Sequence, residues 1–196
     1  MMHGLVEGLP TDLELALFEL SKDPLFPELS DEQKEFYTTE ACLLGDQIYN
    51  QYVGPYEPID QLLDKWECHV EIARHPNVQD GILRNSDYFP EKNLIRVYQE
   101  AIEEIEYLVR MDSRLDLWRF VAIPDVLIAR EFFHHLEAVV VGNVEEHFPS
   151  MEKSVLYFFS KKHRVQQVRV IAANQFAKSL LRLPNLPSIL DWYRRR

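Results

Sequence analysis

IPDVLIAREFFHHLEAVVVG, residues 123–142, is the stretch on which the fold turns. Pro124 in the first turn and Gly142 just past the end are the punctuation of a single long helix. Ile123, Val126, Leu127, Ile128, Phe132, Phe133, Leu136 and Val139–Val141 surround it with apolar side chains, as in a helix buried on most sides. Into that setting it places Arg130, Glu131, His134, His135 and Glu137. At 3.6 residues per turn, Arg130, Glu131 and His134 lie together and Glu137 follows one turn on. Buried polar groups are costly unless paired, so a polar stripe on such a helix has a reason.

Outward from this helix, the chain of 196 residues is long enough for one well-formed core. No apolar run approaches the roughly 20 residues that cross a bilayer, and the start, MMHGLVEGLPTDLE, lacks a secretory pattern. Cys42 and Cys68 have no zinc-type or redox-type spacing and read as small, semi-buried side chains in a reducing compartment. A cytoplasmic location without membrane attachment is expected. The net charge of −11 is unevenly spread, because residues 153–196 hold ten Lys/Arg and one acid, Asp191. Those basic side chains are interleaved with core-type residues. They are therefore expected to face the acidic body of the same domain, and no nucleic-acid partner is expected.

Pro10-Thr11-Asp12 opens a helix to about Ser21, and Ser30-x-x-Gln33 has the form of a capping box for a second that ends at Gly54-Pro55. Residues 58–73 read as a short helix followed by an alternating strand, His69–Ala73. Ile82–Arg84 and Leu94–Tyr98 read as strands, with the segment NSDYFPEKN between them a turn or longer loop. A helix over 101–111 and a last one over 168–183 complete an α+β chain, mainly helical with a small twisted sheet. Residues 1–54 are expected to form a helical segment packed on the core made by residues 55–196, as one globular unit.

Arg130-Glu131-Phe132-Phe133-His134 has the form of the His-Glu-x-x-His zinc helix with arginine in first place. Together with Pro58-Ile59-Asp60 leading a helix into a strand, and with Ala173-Asn174-x-Phe176-Ala177-x-x-Leu180-Leu181, it resembles the ImmA/IrrE-type family of short zinc metallopeptidases. The likeness spans about residues 55–185. It implies a zincin-like fold, in which two motif histidines and a later glutamate hold zinc and the motif glutamate activates water. By that resemblance His134 stands at the second ligand, Glu131 at the general base, Arg130 at the lost first ligand and Ala172 at the lost third, beside Asn174. A guanidinium stays protonated and cannot ligate, and no Asp or Glu lies between Glu152 and Asp191.

The expectation is a metallopeptidase-like protein with a vestigial site and no cofactor, zinc entering only if the site is rearranged. Arg130 is expected to pair with Glu131 or Glu137. Function would lie in binding a peptide or protein along an edge strand near Leu94–Tyr98. The alternatives are a hydrolase with an altered metal site and a structural or oligomerising domain. Glu131-x-x-His134 also has di-iron spacing, but no second Glu-x-x-His exists. Glu67, His69, Glu71 and His75 form a dense group of potential ligands, but the alternation of Glu67, His69 and Glu71 reads as an exposed strand face. His135 reads as a core histidine, and His147 or His163 could substitute a ligand only by rearrangement.

Overall fold

A computed structural model describes residues 9–54, 57–74, 78–79, 82–156 and 159–194. His75 lies outside them, as does Pro55. The chain is α+β and mostly helical, with helices α1 (Asp12–Leu20), α2 (Asp31–Tyr52), α3 (Ile59–Lys65), α4 (Gln99–Met111), α5 (Ile123–Leu136), α6 (Gln167–Leu181) and α7 (Ser188–Arg194). The strands are β1 (His69–Ala73), β2 (Val78–Gln79), β3 (Ile82–Leu83), β4 (Ser86–Phe89), β5 (Leu94–Tyr98), β6 (Met151–Leu156) and β7 (Phe159–His163).

The helix starts follow from local chemistry. Thr11 and Ser30 each accept from the backbone N–H three residues on, while Glu14 and Gln33 reach back to the cap, so both α1 and α2 carry complete capping boxes. No side chain of its own caps α6. Instead the buried Asp23, far away in sequence, accepts from the N–H groups of Gln166 (2.6 Å) and Gln167 (3.0 Å). A carboxylate at a helix N-terminus satisfies orphan donors and complements the dipole.

One core joins all of this. Leu15, Leu20, Tyr37, Ala41 and Ile48 from α1 and α2 pack with Phe132, Phe133 and Leu136 of α5 and Ile171 and Phe176 of α6. Phe176 of α6 lies edge-on to Phe133 and Tyr49. Where α2 crosses α6, Gly45 is the contact: a Cβ there would collide with the Ala172 carbonyl oxygen and sit 2.9 Å from Gln175 Cβ. The basic C-terminal section does face the acidic remainder, with Lys178 paired to Asp12, Arg169 to Glu137 and Arg194 to Glu104.

The main sheet is ordered β1-β5-β4, with β1 parallel and β4 antiparallel to β5. This corrects two expectations. The segment expected as a turn or loop contains a strand, β4, and Leu94–Tyr98 is the central strand rather than an edge. Asn85, Ser86 and Asp87 are turn-type residues by composition, and only pairing with β5 draws them into the sheet. β1 is exposed along most of its length, with Glu71 paired to Arg96, in keeping with a solvent face for His69 and Glu71, whereas Glu67 stands outside the strand in a turn at φ 52°. The hairpin β6–β7 and helix α7 were not anticipated from the sequence. No helix among the described residues is long and apolar enough to cross a membrane.

Candidate functional site

The helix read from residues 123–142 is continuous, but its end changes character. After Leu136 the backbone widens into a π-turn, Glu137–Val141, closed by Gly142 at φ 83° with its N–H donating to Glu137 O at 3.0 Å. Such turns insert one extra residue per repeat and often accompany functional positions. Glu137, the first residue of this turn, is buried.

Between β4, the polar face of α5, the start of α6 and α7 lies a cavity of about 1530 Å³. Ser86, Asp87 and Tyr88 of β4 form one wall, and Arg130, Glu131 and His134 of α5 form the floor with Glu137. Gln167, Arg169, Val170 and Ala173 of α6 face them, and Asp191 and Arg194 of α7 close the side.

Each polar group of α5 has a distinct environment. Glu131 accepts from the Ser86 hydroxyl at 2.8 Å, which ties the helix to the edge of the sheet. Glu137 accepts from Arg169 (2.8 and 3.0 Å), from His134 Nδ1 (3.1 Å) and from the Val144 N–H (3.1 Å). Burial would raise its pKa, but those donors from His134, Arg169 and Val144 together outweigh it and hold it at about 2. A carboxylate so acidic can only accept, so Nδ1 of His134 carries a proton and donates to it.

Arg130 is half-buried in the cavity wall and has neither hydrogen bond nor ion pair among the described residues. The pairing expected for it with Glu131 or Glu137 is therefore not formed. Arg169 takes that role toward Glu137, and Ser86 takes it toward Glu131. Arg169 was missed in the sequence because its partner lies 32 residues away, beyond a turn whose π geometry no local pattern announces.

His135 is a core histidine, as read. It is fully buried, stacked on Phe132 at 5.8 Å, with Nε2 3.0 Å from Trp66 O and Nδ1 2.9 Å from Tyr88 Oη. A carbonyl can only accept, so Nε2 bears the hydrogen and Nδ1 accepts from the tyrosine. Desolvation lowers the pKa of this ring, with the Trp66 carbonyl opposing, which keeps it neutral.

Two sequence-picked positions do not reach the cavity. Ala172 is fully buried and absent from its wall, whereas Arg169, Val170 and Ala173 form that wall. On a helix Ala172 points roughly 100° away from the middle of that set. It packs at the crossing with Gly45, so the position taken for a lost ligand belongs to the α2–α6 contact. Asn174 is likewise fully buried outside the wall, and neither amide atom has a partner among the described residues. His147 and His163 do not line the cavity either.

A catalytic zinc ion needs three converging protein donors and a structural one needs four. On this floor His134 Nε2 is one; Glu137 is committed to Arg169, and Arg130 and Arg169 contribute fixed positive charge. Among the described residues no three His, Cys, Asp or Glu side chains converge on a metal position. The donor set does not fit zinc. Comparison with protein-family models, with curated proteins and with solved structures finds no match for this chain.

Proposed function

We propose that this chain has a zincin-like, metallopeptidase-type scaffold in which the site binds an extended peptide segment instead of cleaving it. The observation that carries the reading is the placement of β4. It is an edge strand, it forms a wall of the cavity, and Ser86 ties it to the polar stripe of α5. Tyr98 donates to Asn85 O, and in an antiparallel ladder residues alternate in which way their backbone groups point. Asp87 and Phe89 therefore bond β5, while the backbone groups of Ser86 and Tyr88 point away from β5 along the open edge of this cavity-lining strand. A row of such groups is a template for strand addition by a peptide. At about 1530 Å³ the cavity exceeds the roughly 300–1,000 Å³ of small-molecule pockets and has room for several residues. Two cysteines without a disulfide fit a reducing, cytoplasmic setting.

The reading is tested with pools of acetylated, amidated heptapeptides degenerate in uncharged residues. Pool binding is expected to survive Ser86→Ala, which removes only the hydroxyl, and to fall about tenfold or more in Ser86→Pro, which also removes the outward N–H. Equal binding by both variants, or turnover of the peptides by the unmodified protein, would refute it.

A further inference from the structure

We infer that Arg130 is the recognition cation of this cleft and that it selects peptides presenting a carboxylate. This inference rests on the peptide-cleft reading above. The acids around the cavity have partners other than Arg130, Glu145 lying 4.0 Å from Arg169. Asp87 is paired with Arg84, Glu104 with Arg194, Glu137 with Arg169, and Glu131 accepts from Ser86. Glu19 lies within the field of Arg130, yet its carboxylate is held by Lys22 at 2.7 Å, and the same ammonium lies 3.8 Å from Asp191. Arg130 thus presents a guanidinium to the cavity with no committed anion among the described residues.

Its position suits the role. Glu131 is fastened to Ser86 on the edge of β4, and its neighbour Arg130, on the same helical turn, lines the same cavity as that edge. A strand added along Ser86 and Tyr88 points alternate side chains toward the floor, where a planar guanidinium binds a carboxylate with two parallel hydrogen bonds. The surrounding acids favour a single carboxylate on an otherwise neutral ligand, because a multiply charged anion would be repelled. The carboxylate could be an Asp or Glu side chain or a chain terminus.

Four heptapeptide pools separate these sources: central Glu, Gln or Lys with amidated C-termini, and central Gln with a free C-terminal carboxylate. Binding to the full chain is read by fluorescence polarisation. The Glu pool, the free-terminus pool, or both are expected to bind about tenfold or more tightly than amidated Gln, with Lys weakest. Arg130→Met is expected to erase that preference, with an unchanged melting temperature as the check on folding, and Arg130→Lys to restore part of it. Equal binding of all four pools, or a carboxylate preference that persists in Arg130→Met, overturns the inference while leaving the peptide cleft standing. Binding of none of the pools overturns both.

Discussion

Tyr88 and His135 show how a single contact can tie two layers together. Tyr88 is on the edge strand and His135 is inside the core helix, and the tyrosine hydroxyl fills the one imidazole nitrogen that Trp66 O cannot. Removing a donor to a buried acceptor costs about 1–3 kcal/mol, because the acceptor keeps its desolvation penalty without compensation. Tyr88→Phe is accordingly expected to lower unfolding stability by that amount in chemical denaturation. A loss of less than a few tenths would show that His135 Nδ1 is satisfied otherwise. His135 was legible as a structural residue from its place on an apolar helix face. Its two partners were not, since Trp66 lies 69 residues away and Tyr88 lies in the segment that reads as a turn or loop.

At the scale of elements, the packing of α2 on α6 positions the whole floor, because α6 carries Arg169 into the cavity and Ala172 into the crossing. The close approach depends on Gly45. Its would-be Cβ meets backbone atoms of α6, the Ala172 carbonyl oxygen and, at 3.1 Å, the Phe176 nitrogen, neither of which can rotate aside. Gly45→Ala is therefore expected to destabilise despite the better helix propensity of alanine, by about 1–3 kcal/mol as in other overpacked contacts. Thermal unfolding checks this, and a stabilised variant would mean the two helices can separate without penalty. The capping boxes at Thr11 and Ser30 were written in local sequence, and the helices start there. The cap of α6 by Asp23 was not, because its partners are 143 and 144 residues away.

For the molecule as a whole, the uneven charge distribution is resolved by ion pairs between the C-terminal section and earlier elements. Glu137 is the most buried acid among these, and it gives the fold a pH dependence of definite sign. The folded pKa, about 2, lies below the ordinary value of 4.5. The unfolded chain then binds the proton more readily, so the stabilisation is fully present above pH 4.5 and is lost as pH falls toward 2. At about 1.4 kcal/mol per pKa unit the effect is on the order of 3 kcal/mol. Denaturation midpoints between pH 6 and 3 should fall more steeply in the unmodified protein than in Glu137→Gln, and parallel slopes would contradict the assignment. His135, with its lowered pKa, adds destabilisation of the same sign beginning below about pH 6.5.

The sequence alone determined that this is an α+β chain with a long, mostly buried helix bearing Arg130, Glu131, His134 and Glu137 on one stripe. Helix caps, periodicity and proline–glycine punctuation act over a few residues, so they can be read there. Only the tertiary structure decided which groups meet that stripe: β4 at the edge, Arg169 on Glu137, Ser86 on Glu131, and Ala172 turned away from the cavity. Those outcomes depend on how helices cross and strands pair over tens of residues. At that range a shift of about 100° around a helix axis moves a side chain from a cavity wall into a packed contact.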